Sequence, residues 1–303
     1  MPTTPEVTPA YGVSPPSFRL PDATHLGRVR LQIDNLERSI AYYETVIGLR
    51  VLDRVGSVAT LGAHGSDAVI VELQEKPGVR PVSSRGRIGL YHFAILLPDR
   101  ASLGRFVRHL GDLGVYAGMS DHLVSEAVYL QDPDGLGIEV YADRSRDEWR
   151  VEHGQIAMAT IPLDVPNLLL AAGADGWRGA PAGAMLGHVH LYVRDLELAA
   201  AFYHDGLGLA KVVWGYPGAL FMSAGGYHHH LGTNTWAAGA PPATDEDARL
   251  LEWEIVVPDT QTVAAAARSL GAGGFDVAEA GADAVVRDPW GTQLRLIATG
   301  ARV

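Results

Sequence analysis

Three residues far apart in the chain have the side chains of a metal-binding set. His92 interrupts the apolar run YHFAIL, His188 holds the matching place in GHVHLYV, and Glu139 stands between Ile138 and Val140 in GIEVYA. Each segment reads as a strand, so alternation sends Ile138 and Val140 to a core and Glu139 to the opposite face. A lone histidine in a strand is more often packed or solvated than ligating. What singles these three out is that two imidazoles and a carboxylate fall at corresponding places of a repeated pattern. On one face they can hold a divalent cation and leave coordination positions open. The chain has no cysteine, which excludes disulfides, zinc ribbons, iron–sulfur clusters and thiol nucleophiles together. A second cluster, His228, His229 and His230, runs into Leu231. Read as a strand, it turns His228 and His230 to the face opposite Leu231, toward a cavity, and His229 to the core side or rim. A slip of one residue exchanges them.

A duplication supplies the elements that position these residues. Residues 27–49 and 187–209 align without a gap, pairing Gly27 with Gly187, Leu31 with Leu191, Glu37 with Glu197, Tyr43 with Tyr203 and Gly48 with Gly208. Further on, Leu97-Pro98-Asp99 matches Val257-Pro258-Asp259, and Asp132-Pro133-Asp134-Gly135 matches Asp288-Pro289-Trp290-Gly291 after a small shift. Differences at equivalent positions therefore show which copy does chemistry. Inside each copy, strand, helix and three strands run twice. The first helix starts near Asp34 and Asn35, either of which can cap it, and carries a stripe of Leu36, Ile40, Tyr43 and Val46. The pattern restarts at Tyr91–Leu97 and predicts a helix over 101–113, then strands near 126–130 and 137–141. The chain thus reads as an α+β protein of four βαβββ modules beginning near Arg28, Tyr91, His188 and Glu252. Such small open sheets must pair to cover their edges and concave faces. The divisions are an N-terminal arm (1–23), a first half (24–143), a linker rich in Asp, Arg, Pro and Gly (144–183) and a second half (184–303). The Pro/Thr-rich arm is expected to pack late or not at all.

Composition sets the outer bounds. With 303 residues, 47% apolar and 19% charged, the chain has enough material for two domains with real cores. A formal charge of −11 argues against a nucleic-acid or anionic-membrane surface and favours a cytoplasmic protein. The first residues show no basic region followed by an apolar stretch, and no run reaches the length of a membrane span.

The segments GLYHFAILLPD, DHLVSEAVYLQDPDGLGIEVYADRSRDEW and GGYHHHLGTNTW resemble the vicinal-oxygen-chelate superfamily of glyoxalases, bleomycin-resistance proteins and extradiol dioxygenases. Within it they are most similar to bacterial catechol 2,3-dioxygenases of the glyoxalase-like group, over about Gly27 to Ala298. The resemblance implies modules paired into two open barrel-like cups, with ligands on first and last strands. It implies Fe(II), with Mn(II) as the alternative, on His92, Glu139 and His188. Substrate would be a small aromatic diol together with O2, catechol yielding 2-hydroxymuconate semialdehyde, in a homo-oligomer. His122 and Tyr129 resemble the histidine and tyrosine that flank substrate in such enzymes, although the spacing after His122 is two residues shorter than in some relatives. His230, and after it His228, is expected beside bound O2, with Asn234 and Trp236 shaping the pocket. Cleavage of hydroquinones or substituted catechols, a glyoxalase-type isomerase or lyase, and a metal-free drug-binding protein are the alternatives.

Comparison of the modules sharpens the assignment. At the equivalents of His188, His92 and Glu139, modules one and four carry Arg28, Glu252 and Arg295. Arginine stays protonated and cannot ligate a cation. These residues read as a charge-compensated cluster or as an ordinary solvated ion pair, with Glu254 an alternative to Glu252. The candidate ligands are split between the halves, so one intrachain site requires module two to face module three, module one to face module four, and ligand atoms about 3 Å apart.

Overall fold

A computed structural model describes residues 11–300. Module one comprises β1 (His25–Ile33), α1 (Leu36–Tyr42) prolonged by a π-helical turn, β2 (Arg50–Val55), β3 (Val58–Gly62) and β4 (Val69–Glu75). Module two has β5 (Gly89–Leu96), α2 (Arg100–Leu113), β6 (Gly118–Asp121), β7 (Ser125–Gln131) and β8 (Gly137–Asp143). The connecting segment forms a small hairpin of β9 (Val151–Glu152) and β10 (Gln155–Ile156), then β11 (Ile161–Pro162) and α3 (Val165–Ala171). Module three holds β12 (Met185–Tyr192), α4 (Leu196–Ala200), again with a π-helical turn, β13 (Ala210–Val213), β14 (Ala219–Ser223) and β15 (Leu231–Asn234). Module four holds β16 (Arg249–Val257), α5 (Thr260–Ala272), β17 (Val277–Ala280), β18 (Asp283–Arg287) and β19 (Gln293–Ala298).

The repeated polar residues have repeated structural duties. Asn35, Asp99, Asp195 and Asp259 each accept a backbone N–H three residues on and so cap the four module helices, each cap contributing about 1 kcal/mol. Asp132 brackets its turn by accepting from the N–H groups of Asp134 and Leu136, and Asp288 does the same for Trp290 and Thr292. The other oxygen of each carboxylate accepts the hydroxyl of the repeated tyrosine, Tyr43 at 3.2 Å and Tyr203 at 2.9 Å. These bonds tie sibling modules within a copy.

The sheets instead join modules across copies. One sheet has nine strands in the order β11-β6-β7-β8-β5-β12-β15-β14-β13, and the other has eight in the order β17-β18-β19-β16-β1-β4-β3-β2. Module two therefore lies beside module three and module one beside module four, which gives the paired cups of an α+β fold. At the centre of the first sheet β5 and β12 run antiparallel, His92 opposite His190 and Ala94 opposite His188. At the centre of the second, β1 and β16 place Arg30 opposite Glu252. A continuous core beneath the helices takes in Leu31, Tyr43, Phe93, Phe106, Leu191, Phe202 and Trp253, and β1 touches β12 where the sheets meet.

Two expectations need correction or completion. Residues 1–10 of the arm lie outside the described residues, but the stretch from Tyr11 is packed, contrary to the loose arm expected. Val13 exchanges backbone hydrogen bonds with Lys211 beside β13, Tyr11 donates to the carbonyl of Gly226 at 2.6 Å, and Leu20 is fully buried. Its role is to cover a sheet edge, a task composition does not reveal. The segment joining the halves also has structure of its own, with β11 extending the nine-stranded sheet beside β6 and α3 packed on α2. Among the described residues no helix is long and apolar enough to cross a membrane.

Candidate functional site

Alternation in three neighbouring strands builds the site. On β8, Ile138 and Val140 enter the core while Glu139, Tyr141 and Asp143 share the concave face; on β5, Phe93 and Ile95 go inward and His92 and Ala94 outward. On β12, Val189 and Leu191 join the core and His188 and His190 take the concave face. Two bulges adjust this pattern. Leu90 and His92 stand opposite Leu191 and His190, leaving Tyr91 as the extra residue, and Gly187 is the extra residue between Leu186 and His188. Bulges re-aim side chains, and Tyr91 joins the site, 4.5 Å from the His92 ring and 5.1 Å from that of His190 between centroids. At the matching bulge a side chain has no room, since a Cβ on Gly187 would lie 1.9 Å from the Tyr141 hydroxyl.

The structure brings His92, Glu139 and His188 together. Their candidate ligand atoms lie within 4.8 Å of one another, and all three residues are buried. Nε2 of His92 is 3.0 Å and Nε2 of His188 3.1 Å from the same oxygen of Glu139, the spacing that metal–ligand bonds of roughly 2.0–2.2 Å produce. Burial alone would raise the Glu139 carboxyl, but His188 and His92 hold it well below the usual carboxylate range. Burial lowers His92 despite the pull of Glu139, so the His92–Glu139 contact is a neutral imidazole beside a carboxylate and not an ion pair. Neither ring nitrogen of His92, nor Nδ1 of His188, has a hydrogen-bond partner. Buried polar atoms are ordinarily satisfied, and neutral imidazole plus carboxylate is a donor set that suits a divalent ion. The residues present fit a metal.

His122 and Tyr129 stand next to this group. His122 donates through Nδ1 to the carbonyl of Ala159 at 2.7 Å, which leaves Nε2 as the acceptor for the Tyr129 hydroxyl at 2.5 Å. Tyr129 lies opposite Glu139 in the β7–β8 ladder. Burial, reinforced by Glu139, raises the tyrosine well above its ordinary range and keeps it a hydroxyl.

The triplet differs from the strand reading. His229 lines the cavity; His230 lines a separate recess with Thr24, His25 and Arg146, where its Nδ1 accepts from the N–H of Ala224 at 3.2 Å. Burial, with His228 and then His25 and Arg146, pushes His230 down to about 3. His228 turns from the cavity to Asp143, its Nε2 2.8 Å from the carboxylate. The reason is local: Gly225 and Gly226 both have positive φ and β15 begins only at Leu231, so the period of two does not run through the triplet.

His190, which the repeat does not single out, lies two residues after His188 on the same strand face. Asn234 accepts the N–H of Trp236 with its carbonyl oxygen and so donates its amide N–H to His190 Nε2 at 3.0 Å, placing the ring hydrogen of His190 on Nδ1. Burial, then His92 and His188, holds His190 well below its ordinary value. His92, His122, Tyr129, Glu139, His190 and His229 line a cavity of about 190 Å³, closed by Tyr216, Phe221 and Trp236 and by Met158 and Thr160 of the connecting segment. A wider recess of about 440 Å³ adjoins it at Tyr91, His92 and Tyr129.

The second sheet carries charge at the equivalent places. Arg295 bonds Glu252 at 3.0 Å, as the copy comparison expects, but Arg28 pairs with Glu254 at 3.1 Å and with Glu72 at 2.5 Å instead of with Glu252. The register explains the change, because Glu252 lies opposite Arg30. Glu72 also pairs with Arg30 at 3.2 Å, so the acids there are already engaged by guanidinium groups.

The fold agrees with that of the chain's relatives. The profile of the Glyoxalase/Bleomycin resistance protein/Dioxygenase superfamily matches residues 25–140 and 185–296, and the chain belongs to that superfamily. It is 43% identical over 270 residues to the catechol-2,3-dioxygenase of Bacillus subtilis (strain 168), covering 88% of this chain and 94% of that protein. Among solved structures, a candidate dioxygenase from Bacillus subtilis superposes with a TM-score of 0.63 at 14% identity, over 91% of this chain and 85% of that one. Glyoxalase I from Zea mays superposes with a TM-score of 0.54 at 16% identity, over 91% and 92% of the two chains. At these identities the structural likenesses speak for the fold alone.

Proposed function

We propose that this chain is an extradiol dioxygenase that holds Fe(II) between His92, Glu139 and His188 and opens catechol with O2 to 2-hydroxymuconate semialdehyde, both oxygen atoms entering the product. The observation that carries this reading is the buried group of two imidazoles and one carboxylate, of which His92 and Glu139 line a small aromatic cavity, supported by the 43% identity to a catechol-2,3-dioxygenase. When bound, the ion supplies Lewis acidity toward the diol oxygens and a path for electrons from ring to O2. The chain's own residues do the rest. The rings of Tyr91, Phe221 and Trp236 and the side chain of Met158 bound a slot of aromatic size and exclude water. Tyr129, kept a hydroxyl by burial, can accept a hydrogen bond from a diol O–H while its own proton points at His122 Nε2. A proton leaving the diol therefore has a two-residue route to an imidazole whose other nitrogen is anchored on Ala159. His229 and His190 bound the other side of the slot as neutral imidazoles.

The test is metal analysis with oxygen uptake on catechol, following the yellow ring-fission product. We expect oxygen consumption that disappears on chelation and returns with Fe(II), and less with Mn(II). Full turnover after exhaustive chelation removes the assignment.

A further inference from the structure

Behind the cavity wall lies a line of hydrogen bonds that the ring-cleavage reading does not use. Nδ1 of His229 is 2.8 Å from Nδ1 of His228, and Nε2 of His228 is 2.8 Å from Oδ1 of Asp143. The Tyr227 hydroxyl donates to the same Asp143 oxygen at 3.2 Å and lies 2.6 Å from the hydroxyl of Tyr141. Because the proton of Tyr227 is spent on Asp143, Tyr141 donates to Tyr227.

We propose that Asp143 and His228 are positioning residues that fix the tautomer of His229, so that its Nε2 faces the cavity as a hydrogen-bond acceptor. A carboxylate only accepts, so Nε2 of His228 carries a hydrogen. With one proton on that ring, Nδ1 of His228 is bare, and two facing nitrogens 2.8 Å apart share one hydrogen. That hydrogen belongs to Nδ1 of His229. A neutral imidazole carries one ring hydrogen; with it on Nδ1, none is left for Nε2, on the side of the ring away from His228 in a residue that lines the cavity. The bonds therefore run from Tyr141 to Tyr227 to Asp143 on one side, and from His229 to His228 to Asp143 on the other. A His228 carrying two protons would reverse the last link and put an N–H into the cavity. The two patterns present opposite partners to a bound diol: an acceptor takes the hydrogen of a diol hydroxyl, whereas a donor gives one to its oxygen. The assignment rests on the proposed function for its meaning in turnover, but not for its geometry.

Long-range proton–nitrogen NMR of the metal-free protein labelled with 15N-histidine tests the geometry directly, with His229→Gln assigning the signal. We expect His229 with its hydrogen on Nδ1 and a bare Nε2; a protonated Nε2 overturns the proposal. Turnover tests the consequence. His228→Phe removes the acceptor for His229 and should lower kcat on catechol by about ten- to a hundredfold, with KM and metal content little changed. His228→Asn restores an acceptor oxygen near the place of Nδ1 and should recover most of the loss. Equal turnover in the Phe and Asn variants overturns the positioning role. A wild-type protein that cleaves no diol defeats the proposed function and leaves the NMR result to judge the tautomer.

Discussion

Single residues separate holding a metal from doing chemistry beside it. We expect His92→Ala, His188→Ala and Glu139→Ala each to lose bound metal, because each removes one member of the group that meets at the Glu139 oxygen; metal content near wild type in Glu139→Ala would strike that residue from the set. Tyr129→Phe should retain metal and lose on the order of 10²–10⁴ in kcat, since it deletes the hydroxyl that leads to His122. His229→Ala should lower kcat strongly while His230→Ala leaves it near wild type, the reverse of what strand alternation suggests; steady-state kinetics of the pair decides it. The three candidate ligands were legible because a repeat placed them at corresponding positions in strands of strict alternation. The triplet was not, since its conformation depends on a two-glycine turn whose register no periodicity encodes. His190 could have been found by counting two residues on from His188. What hid it is that no other module has a histidine there to compare: its equivalents are Arg30, Ala94 and Glu254.

At the scale of elements, the repeated Asp-Pro turns make a prediction about pH. Burial raises Asp132 from 3.8 to about 7, and burial raises Asp288 as well. The folded state thus keeps a proton that the unfolded chain releases near pH 4. The stability this proton contributes is fully present below about pH 4 and is lost as pH rises toward about 7. Denaturant midpoints should therefore fall across that window, and Asp132→Asn should flatten the fall while leaving the acceptors for Asp134 and Leu136 in place. An unchanged slope in the variant would show that Asp132 is not the group responsible. Strand and helix order was readable from apolar periodicity and the Asx caps. The connecting segment was not, because two-residue strands and a seven-residue helix carry too short a pattern to register; only the sheet edge and the cavity they meet give them shape.

For the whole molecule, the pairing of modules across the copies followed from one fact, the division of the candidate ligands between the halves. Residues 1–150 expressed alone should bind no metal, because β5 would lack β12 and with it His188. Metal-dependent stabilisation should likewise need the whole chain: saturation at about 100 times Kd adds about 2.7 kcal/mol, read as a rise in the thermal midpoint that a chelator reverses. A first half that binds metal as tightly as the full chain would sink this view.

The same pairing has a consequence in time. The nine-stranded sheet is complete once residue 234 has left the ribosome, whereas β1, made near the start, waits for β16 at residues 249–257. At about 5–20 residues per second, β1 stands with one side unpaired for something on the order of ten to forty seconds. Arg28, Arg30 and Gln32 on that strand are the kind of charged and polar side chains that discourage wrong partners at a naked edge. The side chains that form ion pairs across the second cup in the folded chain thus give β1 a charged edge before β16 arrives.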